Sequence, residues 1–219
     1  LGDEKPPVYR AGLEDFRSQF SDPRVEFKAL VRVSRGLRDG IAQTATDEGC
    51  DLLLLPWKGY STSEEGFFGA TIDNLLLHLP CNILVARGGE LALCKRILLP
   101  IRGGPYAELA LEIASRLGRA LVAEVTVLHC ESDRAGHDLG DRPYRSFVRM
   151  LGRYPDINRL ITLHGQAAPG IIREARNHDI MVVGAGYNPA APGDFFGPIV
   201  EHVARETDKP LLVVKTPSR

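Results

Sequence analysis

KRILLPIRGGPYAELALEIASRL, Lys95 to Leu117, holds a strand, a turn and a helix in one short stretch. Residues 96–101 form a brief apolar, β-rich run that stops at Gly103-Gly104-Pro105, where turn chemistry takes over. Ala110, Ile113, Ala114 and Leu117 then recur at helical spacing, with Gly118 near the helix end. Outward toward the C-terminus the alternation continues. Residues 122–130 read as a strand and 131–142 as a loop. Residues 144–154 read as an amphipathic helix through Phe147, Met150 and Leu151, and 159–164 as a strand. A helix starting at Pro169 carries Ile171, Ile172 and Ala175. It is followed by a strand at 179–184, a helix at 198–207 and a last strand at 211–215. Continuous apolar strands separated by helices predict a parallel sheet covered on both faces, a doubly wound α/β fold of five strands.

Toward the N-terminus the same pattern is shorter. It predicts a helix at 13–20, a strand at 25–33, a helix at 36–48, a strand at 51–55, a helix at 70–79 and a strand at 82–86. Ile72, Leu75, Leu76 and Leu79 fall on one face of the last helix. The triplet Phe-Phe-Gly occurs at 67–69 and again at 195–197. Asp51 and Asp179 open apolar runs at that same offset, and Ile83-Leu84-Val85 meets Leu211-Leu212-Val213. Upstream the register slips, Gly40-Ile41 against Gly170-Ile171, as an insertion at a helix end would cause. The reading is an internal duplication with a domain-sized period, too long for a solenoid. It gives a partial domain at 1–90 and a complete one at 95–219. The first copy lacks its opening strands, which would leave central backbone groups unpaired. Upstream residues, or a partner, are expected to supply them.

Composition narrows the classes. The chain has 219 residues, 44% hydrophobic and 25% charged, with a net charge of −1. That balance gives no electrostatic footprint for nucleic acid or an anionic membrane. No apolar run approaches the roughly 18 residues of a spanning helix, so direct membrane insertion of this segment is not expected. Cys50, Cys81, Cys94 and Cys130 show no metal-type spacing and read as reduced thiols. The start at Leu1, without a signal-peptide pattern, leads us to expect a fragment or a processed product.

Catalytic signatures are not found. The chain has no GxxxxGK[ST] and no GxSxG. Gly184-Ala185-Gly186 follows a strand, but the third glycine and the later acid of a dinucleotide fingerprint are missing. His129-Cys130-Glu131 and His137-Asp138 are better read as solvated or backbone-bonded groups than as ligands. Ile101–Pro105 lacks the serines and aspartate of a pyrophosphatase loop. No metal and no catalytic residues are expected, so the chain reads as a non-enzyme.

With KRILLPIRGGPYAELALEIASRL as its opening strand, loop and helix, and LPCNILVAR and DKPLLVVK as its closing strands, the chain resembles the universal stress protein family. The resemblance spans most of residues 10–219. It implies a five-stranded parallel sheet in the order 3-2-1-4-5, in a family that commonly dimerises through the last strand; the expected partner is a second copy of the chain in a homodimer, or the two copies paired within the chain. It also implies ATP or another adenine nucleotide as a ligand, held by a Gly-x2-Gly-x9-Gly-Ser/Thr loop and by an Asp after the first strand. Glycines let backbone approach phosphate, and the following helix offers free N–H groups and the positive end of its dipole. In the second copy these positions are Gly184, Tyr187 and Gly197, with Pro198 for the hydroxyl residue and Gly186 beside the tyrosine. Arg102, followed by Gly103, stands where the Asp belongs. In the first copy they are Pro56, Gly59 and Gly69, then Ala70, with Thr71 one residue out of register. Departures of this kind imply weakened binding, and no cofactor is certain. Phe67-Phe68 and Phe195-Phe196 read either as buried plugs or as a stacking surface. Similar tandem chains also occur as cytosolic tails of membrane transporters. The expectation is therefore a cytoplasmic regulatory or scaffolding module; the alternative is a soluble stress protein that senses an adenine nucleotide.

Overall fold

A computed structural model gives the structure of residues 22, 24–57, 70–77, 80–102, 106–131, 141–157, 159–185 and 196–217. Among them the elements run α1 (Leu37–Asp47), β1 (Leu52–Trp57), α2 (Ala70–Leu77), β2 (Asn82–Arg87), a 3-10 turn (Leu91–Leu93), β3 (Arg96–Ile101) and α3 (Ala107–Leu121). They continue with β4 (Glu124–Glu131), α4 (Asp141–Leu151), β5 (Arg159–His164), α5 (Ala167–Ala175), β6 (Ile180–Gly184), α6 (Pro198–Glu206) and β7 (Leu211–Lys215).

The strands form one seven-stranded sheet in the order β1-β2-β7-β6-β3-β4-β5. All neighbours are parallel except β2 and β7, which run antiparallel. Renumbered from β3, the five C-terminal strands stand in the order 3-2-1-4-5, as expected. The two halves share one sheet, because the last strand of each pairs with the other. In that ladder Val85 faces Val213, flanked by Ile83 opposite Lys215 and Arg87 opposite Leu211.

Helices cover both faces. On one face Trp57, Leu75, Ile83, Phe196, Val203 and Val213 belong to a single core that runs through both halves. On the other, α3 and α4 bury Ile97, Leu99, Leu111, Phe147 and Val182. Apolar burial of this extent is the main favourable term for such a sheet.

Several sequence expectations shift. Residues 25–33 lie in the predicted first strand yet form no strand, and Val25, Leu30 and Val33 stay exposed. An outer strand needs an inner neighbour: β5, the matching strand of the second half, pairs with β4, and among the described residues nothing plays that part in the first half. The predicted helix at 13–20 lies outside the described residues. β4 starts two residues late because α3 runs on to Leu121 and ends on Val122 in a left-handed conformation. α5 begins before Pro169, which its first turn tolerates for want of an N–H partner there. α4 spans 141–151 in place of 144–154, closed by turn bonds from the Arg153 and Tyr154 amides.

One detail positions the site. β3 pairs with β4 along its whole length but with β6 only at Ile97 and Leu98. Pro100 has no N–H to give a ladder, and past Leu98 the carboxyl ends of β3 and β6 separate.

Candidate functional site

β3 is flanked by β4 on one side and β6 on the other, so the strand order reverses at the β3/β6 gap. Open α/β sheets bind ligands at the carboxyl side of such a switch point. Arg102 follows β3 directly and is exposed; Gly184 ends β6. A Cβ on Gly184 would lie 3.3 Å from the Tyr106 carbonyl oxygen and 3.4 Å from the Tyr106 Cβ. The chain entering α3 therefore leans across the end of β6, and glycine is what lets it come so near. Tyr106 is 7% exposed and joins the core of Phe196, Val183 and Ala185, although α3 itself packs on the opposite face. Its backbone and Cβ thus lie against the carboxyl end of β6, and its side chain is buried in that core.

Gly197 caps α6 with φ 82° and ψ 151°, a region that side chains other than glycine enter only with strain. Pro198 follows at the first helical position and withholds one of the N–H groups a phosphate would use. Glu201 occupies the first turn of α6, and Asp73 the first turn of α2. A carboxylate there sits at the positive end of the helix dipole, where it competes with a bound anion. Phe196 is fully buried, and the Lys215 Nζ lies 5.7 Å from its ring centroid. For this phenylalanine the plug reading fits and the stacking surface does not.

Thr71 is the second residue of α2, within its first turn. Gly59, Gly69, Gly103, Gly186, Tyr187, Phe67, Phe68 and Phe195 lie outside the described residues. The structure therefore brings Gly184 together with Tyr106, sets Gly197 at the start of α6, and leaves Arg102 on the rim. Sequence reading passed over Tyr106 and the two first-turn acids. The acids were findable, since each follows its Phe-Phe-Gly glycine at the same short interval, Asp73 after Gly69 and Glu201 after Gly197. Tyr106 carried no such signal.

The other polar groups near this end are held by backbone. His129, opposite Ile101 in the ladder, is buried and donates from Nδ1 to the Ile101 carbonyl at 3.0 Å. Cys130 faces a cavity of about 220 Å³ lined also by His164, Gln166, Gly170 and Arg173. Burial pushes the Cys130 thiol up, which keeps it neutral, only partly offset by the Arg173 charge. Among the described residues no cluster of three or more His, Cys, Asp or Glu side chains is placed to hold a metal ion. No described helix is long and apolar enough to cross a membrane.

Residues 9–87 match the model of the universal stress protein family. No curated protein matches the chain. Among solved structures it is similar to a Pseudomonas aeruginosa protein assigned as a universal stress protein. That match has a TM-score of 0.65 and 19% identity, over 97% of this chain and 80% of the other. A functionally unknown protein from Pseudomonas aeruginosa PAO1 gives 0.64 and 19%, over the same shares. A universal stress protein from Archaeoglobus fulgidus gives 0.59 and 17%, over 83% of this chain and 66% of that one. At such identities the likeness is one of fold.

Proposed function

We propose that the chain is a non-enzymatic regulatory or scaffolding module of two stress-protein-like units, at 1–90 and 95–219, whose second nucleotide site has been closed. The observation that carries this is Tyr106. Its backbone and Cβ lie against Gly184 at the switch point where a ligand would sit, and its side chain is buried. Pro198 and Glu201 at the start of α6 weaken the anion site further. The setting proposed is cytoplasmic, as part of a longer transporter chain or paired with other copies of itself.

Calorimetry of the full chain with ATP, AMP and cyclic dinucleotides tests the proposal. The expected result is no saturable heat at micromolar ligand and a melting temperature that hardly moves at millimolar ATP. Micromolar binding that is lost on Gly184→Val would overturn it. Combined reversion by Tyr187→Gly, Pro198→Ser and Arg102→Asp should raise affinity only when Tyr106→Ala also clears the gap.

The second reading is a nucleotide sensor. Gly197 favours it, since it keeps the positive φ of a phosphate-type turn, with the Arg102 cation exposed on the facing rim. In that case ATP binding weakens markedly on Arg102→Ala.

A further inference from the structure

Two of the four cysteines meet where the first half enters the sheet. Cys50 leads through Asp51 into β1, and Cys81 directly precedes β2. α1 closes on Gly49 at φ 62°, and the Cys50 N–H donates to the Ala45 carbonyl at 2.8 Å, the long bond of a glycine-capped helix end. This cap fixes the Cys50 backbone. β1 and β2 are parallel, with Leu52 opposite Asn82, and the Asn82 N–H also donates to the Asp51 carbonyl at 3.2 Å. Register therefore sets Asp51 beside Cys81, with Cys50 the next residue along. Strands lie about 4.8 Å apart and rise about 3.3 Å per residue, so the diagonal from Cys50 to Cys81 is about 6 Å between Cα atoms. Disulfides span Cα separations of about 4.4–6.8 Å. The other two thiols are remote: Cys94 precedes β3, three strands away from β2, and Cys130 lies near the carboxyl end of β4.

The two thiols differ as an attacking and a resolving sulfur must. Cys50 is exposed, whereas Cys81 is 7% exposed. Burial is the first cause that pushes the Cys81 thiol up; a charge on Cys50 pushes it further, ahead of the Asp51 carboxylate. The two sulfurs are thus within electrostatic reach of each other. Among the described residues no His, Asp or Glu joins them in a metal-binding cluster. Nor does the fold require sulfur here. At the offset of the two Phe-Phe-Gly triplets, the same places in the second half hold His178 and Lys209.

We infer that Cys50 and Cys81 form a thiol–disulfide exchange site whose substrate is a small soluble disulfide of the glutathione type. The Cys50 thiolate attacks one sulfur of that disulfide, its S–S bond breaks, and one thiolate leaves. Cys50 now carries a mixed disulfide. Cys81 gives its proton to water and attacks the Cys50 sulfur, and the second small thiolate leaves. Two protein thiols are oxidised to one disulfide, and one small disulfide is reduced to two thiols. The second step is the slow one, because the buried Cys81 thiol stays largely neutral. The new bond closes a loop that holds β1 and α2, and it staples the edge strand β1 to β2 at their starts. This site is separate from the Tyr106 gap and does not depend on whether a nucleotide binds.

The test is the full chain incubated with oxidised glutathione at neutral pH, alkylated at intervals and mapped by peptide mass spectrometry. A glutathione adduct on Cys50 is expected first, giving way to a Cys50–Cys81 link while Cys94 and Cys130 remain free thiols. Dithiothreitol should restore all four thiols. Cys81→Ala should stop the reaction at the Cys50 adduct, and Cys50→Ser should slow the loss of the Cys81 thiol about tenfold or more. Where a variant fails to fold, the time course of the parent chain decides alone, because it follows both sulfurs. An adduct that stays on Cys50 while Cys81 remains open to alkylation overturns the inference. A Cys50–Cys50 link between two chains overturns it too, as does a disulfide that takes in Cys94 or Cys130.

Discussion

Val85 and Val213 stand directly opposite each other in the antiparallel β2/β7 ladder, and each is the other's counterpart in the repeat. Their separation in the chain is the one at which Phe-Phe-Gly and the paired aspartates recur. A ladder centred on such a pair carries each residue of β2 onto the counterpart of its partner, as Ile83–Lys215 and Arg87–Leu211 do. The junction therefore has a local two-fold character. Each valine sits between the other and a parallel strand of its own half, Val85 beside Leu55 and Val213 beside Val183, and both are fully buried. Val85→Asp is expected to unfold the chain rather than divide it, seen as loss of the cooperative transition, because a buried charge here is unpaired on a surface common to both halves.

Arg87 ties the halves together a second time. Its guanidinium donates to the carbonyls of Ala204 at 2.6 Å, of Thr207, and of Lys209 at 3.0 Å, closing the C-terminal end of α6. It also lies 5.0 Å from the Trp57 ring centroid. A planar fork can serve several carbonyls and a ring at once, and an ammonium cannot. Arg87→Lys should cost about 2 kcal/mol in urea unfolding, and Arg87→Met somewhat more, since the last carbonyls of α6 would lose their donors. A loss below about 0.5 kcal/mol for both would show that water replaces the clamp.

What the sequence revealed and what it hid divide along physical lines. Period and turn residues are local, so β3, α3, β6 and α6 were legible, and the repeat spacing reproduced the helix starts at Ala70 and Pro198. The sharing of one sheet was not legible, because a last strand carries the same apolar pattern whether it pairs within the chain or with another copy. Residues 25–33 have strand composition, yet strand formation is set by a neighbour and not by propensity. Tyr106 looked like one more residue of a Gly-Gly-Pro turn. Its role comes from Pro100, which ends the β6 ladder early, and from Gly184, which lets the chain lean across; the two belong to different strands and lie far apart in the sequence.

The cysteines should react in a fixed order. Cys50 is exposed, while Cys81 and Cys94 are buried and no disulfide joins any of the four. Burial is the first cause that pushes the Cys81, Cys94 and Cys130 thiols upward, and the thiolate is the reactive form. A disulfide-exchange reagent at neutral pH should titrate one thiol quickly and the rest slowly, and Cys50→Ser should remove the fast phase alone. A fast phase that survives this change places the reactive thiol elsewhere.

Val122 offers a gain in stability. It ends α3 with φ 52° and ψ 52°, and it is 82% exposed, so its side chain has little packing to lose. A β-branched residue in the left-handed region is strained by about 1–2 kcal/mol, and glycine is free of that cost. After the greater chain entropy of glycine is subtracted, Val122→Gly should stabilise by about 0.5–1 kcal/mol in chemical denaturation. Val122→Ile should bring nothing. A destabilised glycine variant would mean that the valine makes a contact worth more than its strain.

Asp179 is expected to make the stability of the fold depend on acid. The Lys95 backbone N–H is the first cause that holds its carboxyl below the usual carboxylate range, aided by the N–H and side chain of Arg96. A carboxyl depressed in the folded state stabilises at every pH above its unfolded value, near 4, and that contribution disappears as pH falls through the folded value. Asp179→Asn keeps an acceptor but loses the charge, so it should cost about 1–2 kcal/mol at neutral pH. The variant should then lose less than the parent between pH 5 and pH 2, the two curves converging toward the acid end, because the parent surrenders there what the variant already lacks. Asp51→Asn is the control, since no incoming strand binds its carboxylate among the described residues, and its stability curve should overlay the parent at every pH. Parallel curves for Asp179→Asn and the parent would assign the acid loss to other carboxylates and remove Asp179 as its source.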